Sequence, residues 1–188
     1  MNSIRTFIAV DIKPEKPIVE LCGKLKAMLK NDSINWVDTN TIHLTLLFLG
    51  ETQISQVEDI SRALRDNLTN ISEFRLCVKG LGTFGKPDPK VIWLGIESCQ
   101  SLDNLKNTVD RALAPFGYED ENKVFSPHLT LGRIKFLNSR IELKSFVVQN
   151  KEPILQNANI DKVVFYQSTL TPHGSIYKSI DIIDLKNS

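Results

Sequence analysis

The chain has 188 residues, of which 41% are hydrophobic and 24% charged, so it can bury a sizeable core and is too apolar for a long disordered chain. Its 23 Lys and Arg residues against 22 Asp and Glu residues exclude the strongly basic surface of a general duplex-binding protein. Three widely spaced cysteines without a Cys-x-x-Cys pair disfavour a disulfide framework and a cysteine-rich zinc site.

The N-terminal stretch lacks the apolar segment and the small-residue cleavage site of a signal peptide. No later apolar run approaches the roughly 20 residues that span a bilayer. These features predict a cytoplasmic protein that does not associate with membranes.

Hydrophobic periodicity predicts a chain in which strands and helices alternate. In chain order, the pattern predicts strands at 6–12, 34–37, 42–49, 74–79, 91–96, 128–134, 162–166 and 177–183, helices at 20–29, 53–67, 102–113 and 141–148, and a turn-rich loop at 84–90. The order of elements repeats in outline, and no Ser/Gly-rich linker separates the two runs. We therefore expect an α+β fold of two lobes that share one interface, forming a single domain over residues 1–188.

One four-residue sequence, His-Leu-Thr-Leu, occurs twice, at 43–46 and at 128–131, although the chain contains only three histidines. At average residue usage a given His is followed by Leu-Thr-Leu about once in a thousand cases, so chance explains the second copy poorly. Because side chains alternate along a strand, His43 and Thr45 share one face and the leucines point to the core. His128 and Thr130 repeat that arrangement, which predicts two imidazoles and two hydroxyls in one cleft.

Two histidines in one cleft suit acid–base chemistry near neutral pH. An unperturbed imidazole titrates near pH ~6.5, so one can act as a base while the other remains protonated as an acid. Threonine hydroxyls can donate hydrogen bonds to phosphate oxygens whose charge grows in the transition state. The constellation predicts phosphoester cleavage without a metal.

Arg133 is a candidate phosphate ligand, but strict alternation from His128 places it on the leucine face. A bulge at Gly132 would remove this conflict, because a glycine inside a strand often marks a bulge. One extra residue there would bring Arg133 to the histidine face. The alternative is an ordinary solvated arginine near the end of a strand.

Three other chemical interpretations have less support. His173, between Pro172 and Gly174, is expected to be a turn residue. Ser126 precedes the second motif, but no Gly-x-Ser-x-Gly elbow surrounds it. His43 and His128 without a nearby set of carboxylates or thiolates make a poor zinc site.

The residues quoted above resemble a known family. The two His-x-Thr-x motifs are similar to those of the 2H phosphoesterase superfamily, and the flanking sequence resembles its RNA 2′,3′-cyclic phosphodiesterase branch, also called the 2′-5′ RNA ligase or LigT-like group. The similar stretches are 5–10, 36–37, 42–50, 91–95 and 125–133, followed by Ser168, Leu170, Gly174 and Tyr177.

The resemblance implies a bilobal, duplicated α+β fold in which each lobe carries an antiparallel sheet with helices on its outer face, and in which both motifs line a central cleft. It also implies hydrolysis of a 2′,3′-cyclic phosphate at an RNA end to a 2′-phosphate. His43 would then donate a proton to O3′ and His128 would activate water. Thr45, Thr130 and Arg133 would hold the phosphate.

The base next to the phosphate needs an aromatic surface, for which Phe48, Phe84 and Phe125 are candidates, although each such residue is more often part of a core. Phe84, in the predicted loop, has the most favourable position of the three. Phe48, beside the first motif, is counted with the expected substrate-binding residues.

We expect no cofactor, no metal and a monomeric protein whose partners are RNA 3′ ends carrying a 2′,3′-cyclic phosphate, such as tRNA fragments, or small cyclic nucleotides. Three alternatives stay open at this point. They are 2′-5′ RNA end ligation, hydrolysis of a related small cyclic phosphate such as ADP-ribose 1″,2″-cyclic phosphate, and a non-catalytic module that binds RNA ends. The matched histidines and threonines argue against the last, because binding alone requires no proton donor and acceptor.

Overall fold

The computed structural model describes residues 2–118, 125–171 and 174–187, which form four α-helices and nine β-strands. The helices are α1 (Lys16–Met28), α2 (Val57–Leu68), α3 (Gln100–Leu113) and α4 (Arg140–Gln149). The strands are β1 (Ser3–Asp11), β2 (Ser33–Trp36), β3 (His43–Gln53), β4 (Phe74–Phe84), β5 (Val91–Ile96), β6 (His128–Phe136), β7 (Ile154–Ile160), β8 (Lys162–Thr171) and β9 (Gly174–Asp184). In this part of the chain, no helix has the length and apolarity needed to cross a bilayer.

The strands form one curled antiparallel sheet with the order β7-β4-β5-β6-β3-β1-β8-β9, and β2 pairs with β6. At the centre of this order, β3 and β6 pair through a single register position, Leu44 opposite Leu129. The sheet therefore divides into two lobes at that position, with β3, β1, β8 and β9 on one side and β6, β5, β4 and β7 on the other. The predicted bilobal α+β fold is confirmed.

Each lobe is assembled from both ends of the chain. Helices α2 and α3 contact each other and pack against β9 and β3, whereas α1 packs against β7 and α4 against β4. The lobe that contains His43 thus includes the two C-terminal strands, and the lobe that contains His128 includes the N-terminal helix. The two motif strands occupy equivalent innermost positions, so a pseudo-twofold relation centres on the Leu44–Leu129 pair.

Helices α2 and α3 are amphipathic, and their apolar stripes face the outer side of the sheet. In α2 the buried residues Ile60, Leu64 and Leu68 recur at helical spacing, as expected for a helix that covers a core. The motif leucines meet this core from the sheet, since Leu44 and Leu129 are almost completely buried. The leucines of the two motifs therefore anchor both strands, and their histidines are left on the concave face.

One strand, β7, was not predicted, because the residues on its buried face are not all apolar. Gln156 is buried on the same face as Ala158 and Ile160. Its amide is satisfied by the chain that enters α1: its Oε1 accepts the N–H of Glu15 at 2.8 Å, and its Nε2 donates to the carbonyl of Lys13 at 2.8 Å. A polar residue can be buried when its polar atoms are hydrogen-bonded. Gln156 therefore interrupts the alternation of polar and apolar residues by which a strand is recognised in the sequence.

Among the strands that are longer than predicted, β3 and β4 continue through a glycine that changes their course without ending them. The sequence pattern ends the first motif strand at Gly50, but β3 continues to Gln53 with Gly50 at a φ of 68°. Likewise, β4 continues past Lys79 through Gly80, whose φ is 72°, and ends at Phe84. Phe84 therefore lies at the end of a strand, and the predicted loop occupies residues 85–90.

Candidate active site

The two motif histidines begin the two central strands. His43 is the first residue of β3, and His128 is the first residue of β6. Antiparallel pairing about Leu44 and Leu129 sets His43 toward Thr130 and His128 toward Thr45. All four side chains are half-buried and lie opposite the buried leucines, so the structure brings together the groups that the sequence predicted to share a cleft.

Each histidine ring is oriented by the same backbone contact. His43 Nδ1 lies 2.9 Å from the carbonyl oxygen of Thr41, and His128 Nδ1 lies 2.7 Å from the carbonyl oxygen of Ser126. Because a carbonyl oxygen only accepts, Nδ1 carries the proton and donates it in both rings. The Nε2 atom of each imidazole remains as the position for proton exchange with a ligand in the cleft.

Both motif strands contain a bulge at the same position. In the pairing of β1 with β3, Ile8 and Ala9 are opposite Leu47 and Thr45, so Leu46 is the extra residue. In the pairing of β5 with β6, Ile92 and Trp93 are opposite Gly132 and Thr130, so Leu131 is the extra residue. A bulge shifts the alternation of the residues that follow it.

The bulge in β6 decides the position of Arg133. Leu131 and Gly132 are both buried, and Arg133 is exposed on the face that carries His128 and Thr130. The predicted bulge that brings Arg133 to the histidine face is confirmed, with Leu131, next to Gly132, as the extra residue. Arg133 is close enough to the first motif for its positive charge to act on His43, where it lowers the pKa.

Phe48 holds the equivalent place in the first motif, since it follows the bulge in β3 as Arg133 follows the bulge in β6. Its side chain is 62% exposed, and its ring centroid lies 5.9 Å from that of Phe7. Phe7 in turn lies 5.0 Å from the ring of His43. Phe48 therefore borders the cleft, and Phe7 lies between it and His43.

Aromatic rings surround both histidines. His43 contacts Phe7 and the edge of Tyr177, the latter at a centroid distance of 5.1 Å, with Tyr166 farther away at 6.3 Å. On the other side, Phe84 meets His128 edge-on at 4.8 Å and Trp93 lies 6.4 Å from it. Of these rings, only Phe84 was predicted as a candidate ligand surface, because the pairing that brings the others together is not visible in a single sequence.

The surroundings of His43 alter its proton affinity. Burial lowers the pKa of His43 below its ordinary value, and Arg133 acts in the same direction. The hydrogen bond to the Thr41 carbonyl and the negative charge of Asp11 oppose this effect and raise the pKa. An imidazole balanced by opposing charges responds readily to a charged ligand.

A hydroxyl and a carboxylate meet next to the first histidine. The Tyr166 hydroxyl donates to the Asp11 carboxylate, with its oxygen 2.9 Å from Oδ1 and 2.8 Å from Oδ2. Burial and the Asp11 charge raise the pKa of Tyr166 far above its ordinary value, so this hydroxyl stays protonated near neutral pH. Neither Asp11 nor Tyr166 was predicted from the sequence as a site residue.

Within residues 2–118, 125–171 and 174–187, no group of three His, Cys, Asp or Glu side chains lies in an arrangement that could hold a metal ion. Ser126 serves the site through its backbone carbonyl, which orients His128. The turn expected at His173 lies outside the residues that the structure describes.

With this geometry described, comparison with known proteins identifies the family. The model of the 2′-5′ RNA ligase superfamily matches residues 35–170. The chain belongs to that superfamily. The match includes both motifs and confirms the resemblance to the 2H phosphoesterases.

Relatives cover nearly the whole chain. The chain is 36% identical over 178 residues to a protein of Thermotoga maritima named RNA 2′,3′-cyclic phosphodiesterase, with 93% of this chain and 92% of the relative covered. It is 32% identical over 178 residues to a protein of the same name from Methanocaldococcus jannaschii, with 94% and 98% covered. The similarity therefore extends over both lobes.

Solved structures show the same fold. TT0787 of Thermus thermophilus superimposes with a TM-score of 0.79 at 20% identity, covering 98% of this chain and 99% of the other. E. coli LigT complexed with 3′-AMP superimposes with a TM-score of 0.75 at 21% identity and the same coverage. The curled two-lobed sheet is thus shared with proteins of low sequence identity.

Proposed function

We propose that this protein hydrolyses the 2′,3′-cyclic phosphate at RNA 3′ ends to a 2′-phosphate, using His43 and His128 and no metal. The observation that carries the proposal is the pair of pseudo-symmetric imidazoles, each with Nδ1 bound to a carbonyl and Nε2 left for the ligand. The name that the relatives share supports the same substrate class.

The chemistry requires two protons to move in one displacement. Nε2 of His128 accepts a proton from water while the water oxygen forms a bond to phosphorus. The bond from phosphorus to O3′ breaks, and Nε2–H of His43 donates its proton to O3′. The products are a ribose with a free 3′-hydroxyl and a 2′-phosphate, and general acid–base catalysis of this kind contributes typically ~10²–10⁴-fold.

Polar groups on the same face suit the negative charge of the phosphate. Thr45 and Thr130 flank the two imidazoles, and we propose that their hydroxyls donate to the non-bridging oxygens. Arg133, brought to this face by the bulge in β6, adds a permanent positive charge. Donors fixed in advance around the phosphate stabilise the charge that grows in the transition state.

The lowered pKa of His43 is compatible with its role as the acid once the substrate is bound. In the free protein, burial favours the neutral imidazole. A cyclic phosphate brings a negative charge next to the ring, which favours the protonated form and also offsets the charge of Arg133. Substrate binding therefore shifts His43 further toward the protonated form that donates to O3′.

We propose that Phe48 contacts the base of the terminal nucleotide. Its ring is exposed at the border of the cleft, in the place that corresponds to Arg133 in the other lobe. Stacking of a base on an aromatic ring is tolerant of base identity. Phe48 and Arg133, which occupy pseudo-symmetric positions in the two lobes, would then bind the base and the phosphate, respectively.

The test is incubation of the purified protein with an oligonucleotide that ends in a 2′,3′-cyclic phosphate, in the presence of EDTA. Chromatography against 2′-phosphate and 3′-phosphate standards identifies the product. We expect the 2′-phosphate, formed at the same rate with and without chelator. Loss of activity in EDTA, restored by a divalent ion, would overturn the metal-free mechanism, and absence of turnover in both conditions would overturn the proposed function.

The family name also refers to RNA ligation, which is the same displacement at phosphorus with the 5′-hydroxyl of a second RNA in place of water. Adding such an RNA to the same assay shows whether a longer product with a 2′-5′ bond forms. We further propose that the active form is a monomer in the cytoplasm, and sedimentation of the protein with and without oligonucleotide tests its oligomeric state.

A further inference from the structure

The pseudo-twofold relation allows the surroundings of the two histidines to be compared position by position. In the first lobe, Asp11 of β1 is directly opposite His43 of β3. In the second lobe, Gly95 of β5 is directly opposite His128 of β6. The ring hydrogen bonds and the bulges match in the two lobes, but only one of these two facing positions carries a charge.

Asp11 and His43 are close neighbours on adjacent strands of the sheet. The N–H of Ile12 donates to the carbonyl of Ile42 at 3.2 Å, which marks the neighbouring pair as the hydrogen-bonded one. Asp11 and His43 therefore form a non-hydrogen-bonded pair, in which the Cα atoms lie about 4.5 Å apart and the side chains share one face. The carboxylate is thus placed next to the imidazole by the backbone.

Tyr166 holds the carboxylate in place. Its hydroxyl bonds both oxygens of Asp11, and its ring stacks on Phe7 at a centroid distance of 5.2 Å. Tyr166 lies opposite Phe7 in the pairing of β1 with β8. Rings packed between the strands thus restrain the side chain of Asp11 near His43.

We propose that Asp11 is a positioning residue that holds the proton on His43, and that its absence opposite His128 leaves His128 to act as the base. The inference rests on the proposed function, because it explains which member of the pair donates to O3′. It adds a residue on β1, outside both motifs, that sets the direction of proton transfer.

The charged and titratable groups that face His43 come from four strands. Asp11 of β1 favours the imidazolium, Arg133 of β6 disfavours it, and the Tyr166 hydroxyl of β8 stays protonated. Tyr177 of β9 meets the ring edge-on. Burial also disfavours the charged ring. Asp11 is therefore the one negative side chain among these groups, and its removal leaves burial and Arg133 to act together.

The test compares three variants with the wild type. Asp11→Asn keeps the shape of the side chain and an oxygen that accepts from Tyr166, but it removes the charge. Tyr166→Phe keeps the ring and removes the hydroxyl. Asp59→Asn is the matched control, because Asp59 is an exposed carboxylate on α2 that pairs with Arg62 at 3.0 Å.

The first readout is the titration of the His43 ring in the free protein, followed by NMR. This measurement does not depend on any enzymatic activity. We expect Asp11→Asn to lower the pH at which His43 titrates, Tyr166→Phe to lower it less, and Asp59→Asn to leave it unchanged. An unchanged titration of His43 in Asp11→Asn would overturn the inference, even if the protein hydrolyses the cyclic phosphate as proposed.

The second readout is kcat/KM on the RNA cyclic phosphate across pH 5 to 9. In Asp11→Asn we expect the limb that titrates with His43 to move to lower pH and the maximum to fall by roughly three- to thirtyfold, a loss within the range of one general acid. An equal loss at every pH with no movement of either limb would assign Asp11 a purely structural role and refute the proposal. Inactive wild-type protein would refute the proposed function and leave the NMR readout to decide on Asp11.

The backbone prevents the reciprocal exchange, Gly95→Asp opposite His128. A Cβ atom at Gly95 would lie 2.7 Å from the carbonyl oxygen of Lys79. This close approach explains why the position directly opposite His128 on β5 carries no side chain.

Discussion

Substitution of Gly82 by alanine should displace His128 through two intervening aromatic rings. Gly82 lies on β4 opposite Trp93 on β5, and the indole covers it. A Cβ atom at Gly82 would lie 2.2 Å from Cζ2 of Trp93, about 1.2 Å short of ordinary van der Waals contact. The ring must therefore move by about that distance, since the opposing atoms belong to a rigid indole.

The displacement of the Trp93 indole reaches His128 through Phe84. Trp93 contacts Phe84 at a centroid distance of 5.0 Å, and Phe84 meets His128 edge-on at 4.8 Å. A misplacement of about 1 Å in a catalytic group can cost up to ~10²-fold in rate, so we expect kcat/KM on the cyclic phosphate to fall by roughly ten- to a hundredfold. Overpacking of this kind also lowers the free energy of unfolding by typically ~1–3 kcal/mol.

Gly23 provides the matched control, because a Cβ atom there would meet no atom within 4 Å. Gly23 lies inside α1, where alanine is favoured over glycine by about 0.5–1 kcal/mol. Gly23→Ala should therefore raise the midpoint of urea unfolding without changing kcat/KM. If Gly82→Ala unfolds at the wild-type urea concentration and keeps wild-type kinetics, the indole is free to move and the reasoning fails.

Three further predictions concern the reacting groups. His43→Ala and His128→Ala should each lower kcat/KM by about 10²-fold or more, and near-wild-type turnover in either variant would remove that histidine from the mechanism. For the wild-type protein, kcat/KM plotted against pH should be bell-shaped. On a nitrophenyl phosphodiester, whose leaving group needs no proton, His43→Ala should recover a larger share of the wild-type rate than His128→Ala, and the opposite order would reverse the assignment of acid and base. Because Arg133 lowers the pKa of His43, Arg133→Gln should raise the pH at which the His43 ring titrates by NMR, while KM for the cyclic phosphate increases; an unmoved titration would show that the guanidinium does not reach the ring.

The features that could be predicted from the sequence are those that depend on local pattern. Alternation along the motif strand placed His43 and Thr45 on one face and the leucines in the core, and the glycine at 132 indicated the bulge that turns Arg133 toward the cleft. The alternation of polar and apolar residues was less informative in the unpredicted strand β7, because hydrogen bonds allow the polar side chain of Gln156 to be buried.

The remaining features depend on pairing between distant segments. Asp11 and Tyr166 are 155 residues apart in sequence and meet only because β8 pairs with β1. The signal that could have found Asp11 is its place in β1, where a charged residue ends an apolar strand and lies on the face of Phe7. No periodicity, however, shows which strand will be the neighbour, so the interleaved composition of the lobes was not foreseen.

The matched bulges in β3 and β6 have a consequence for how substrate preference can change over time. Phe48 and Arg133 each lie two residues beyond the bulged leucine, on a backbone that the leucines and the ring hydrogen bonds already define, so Phe48 can be exchanged without disturbing the imidazoles. With Phe48 in its proposed role at the base, mutational drift at position 48 would alter which bases are accepted and leave proton transfer intact. A library randomised at that one codon is therefore a compact starting point for engineering variants with new nucleotide selectivity.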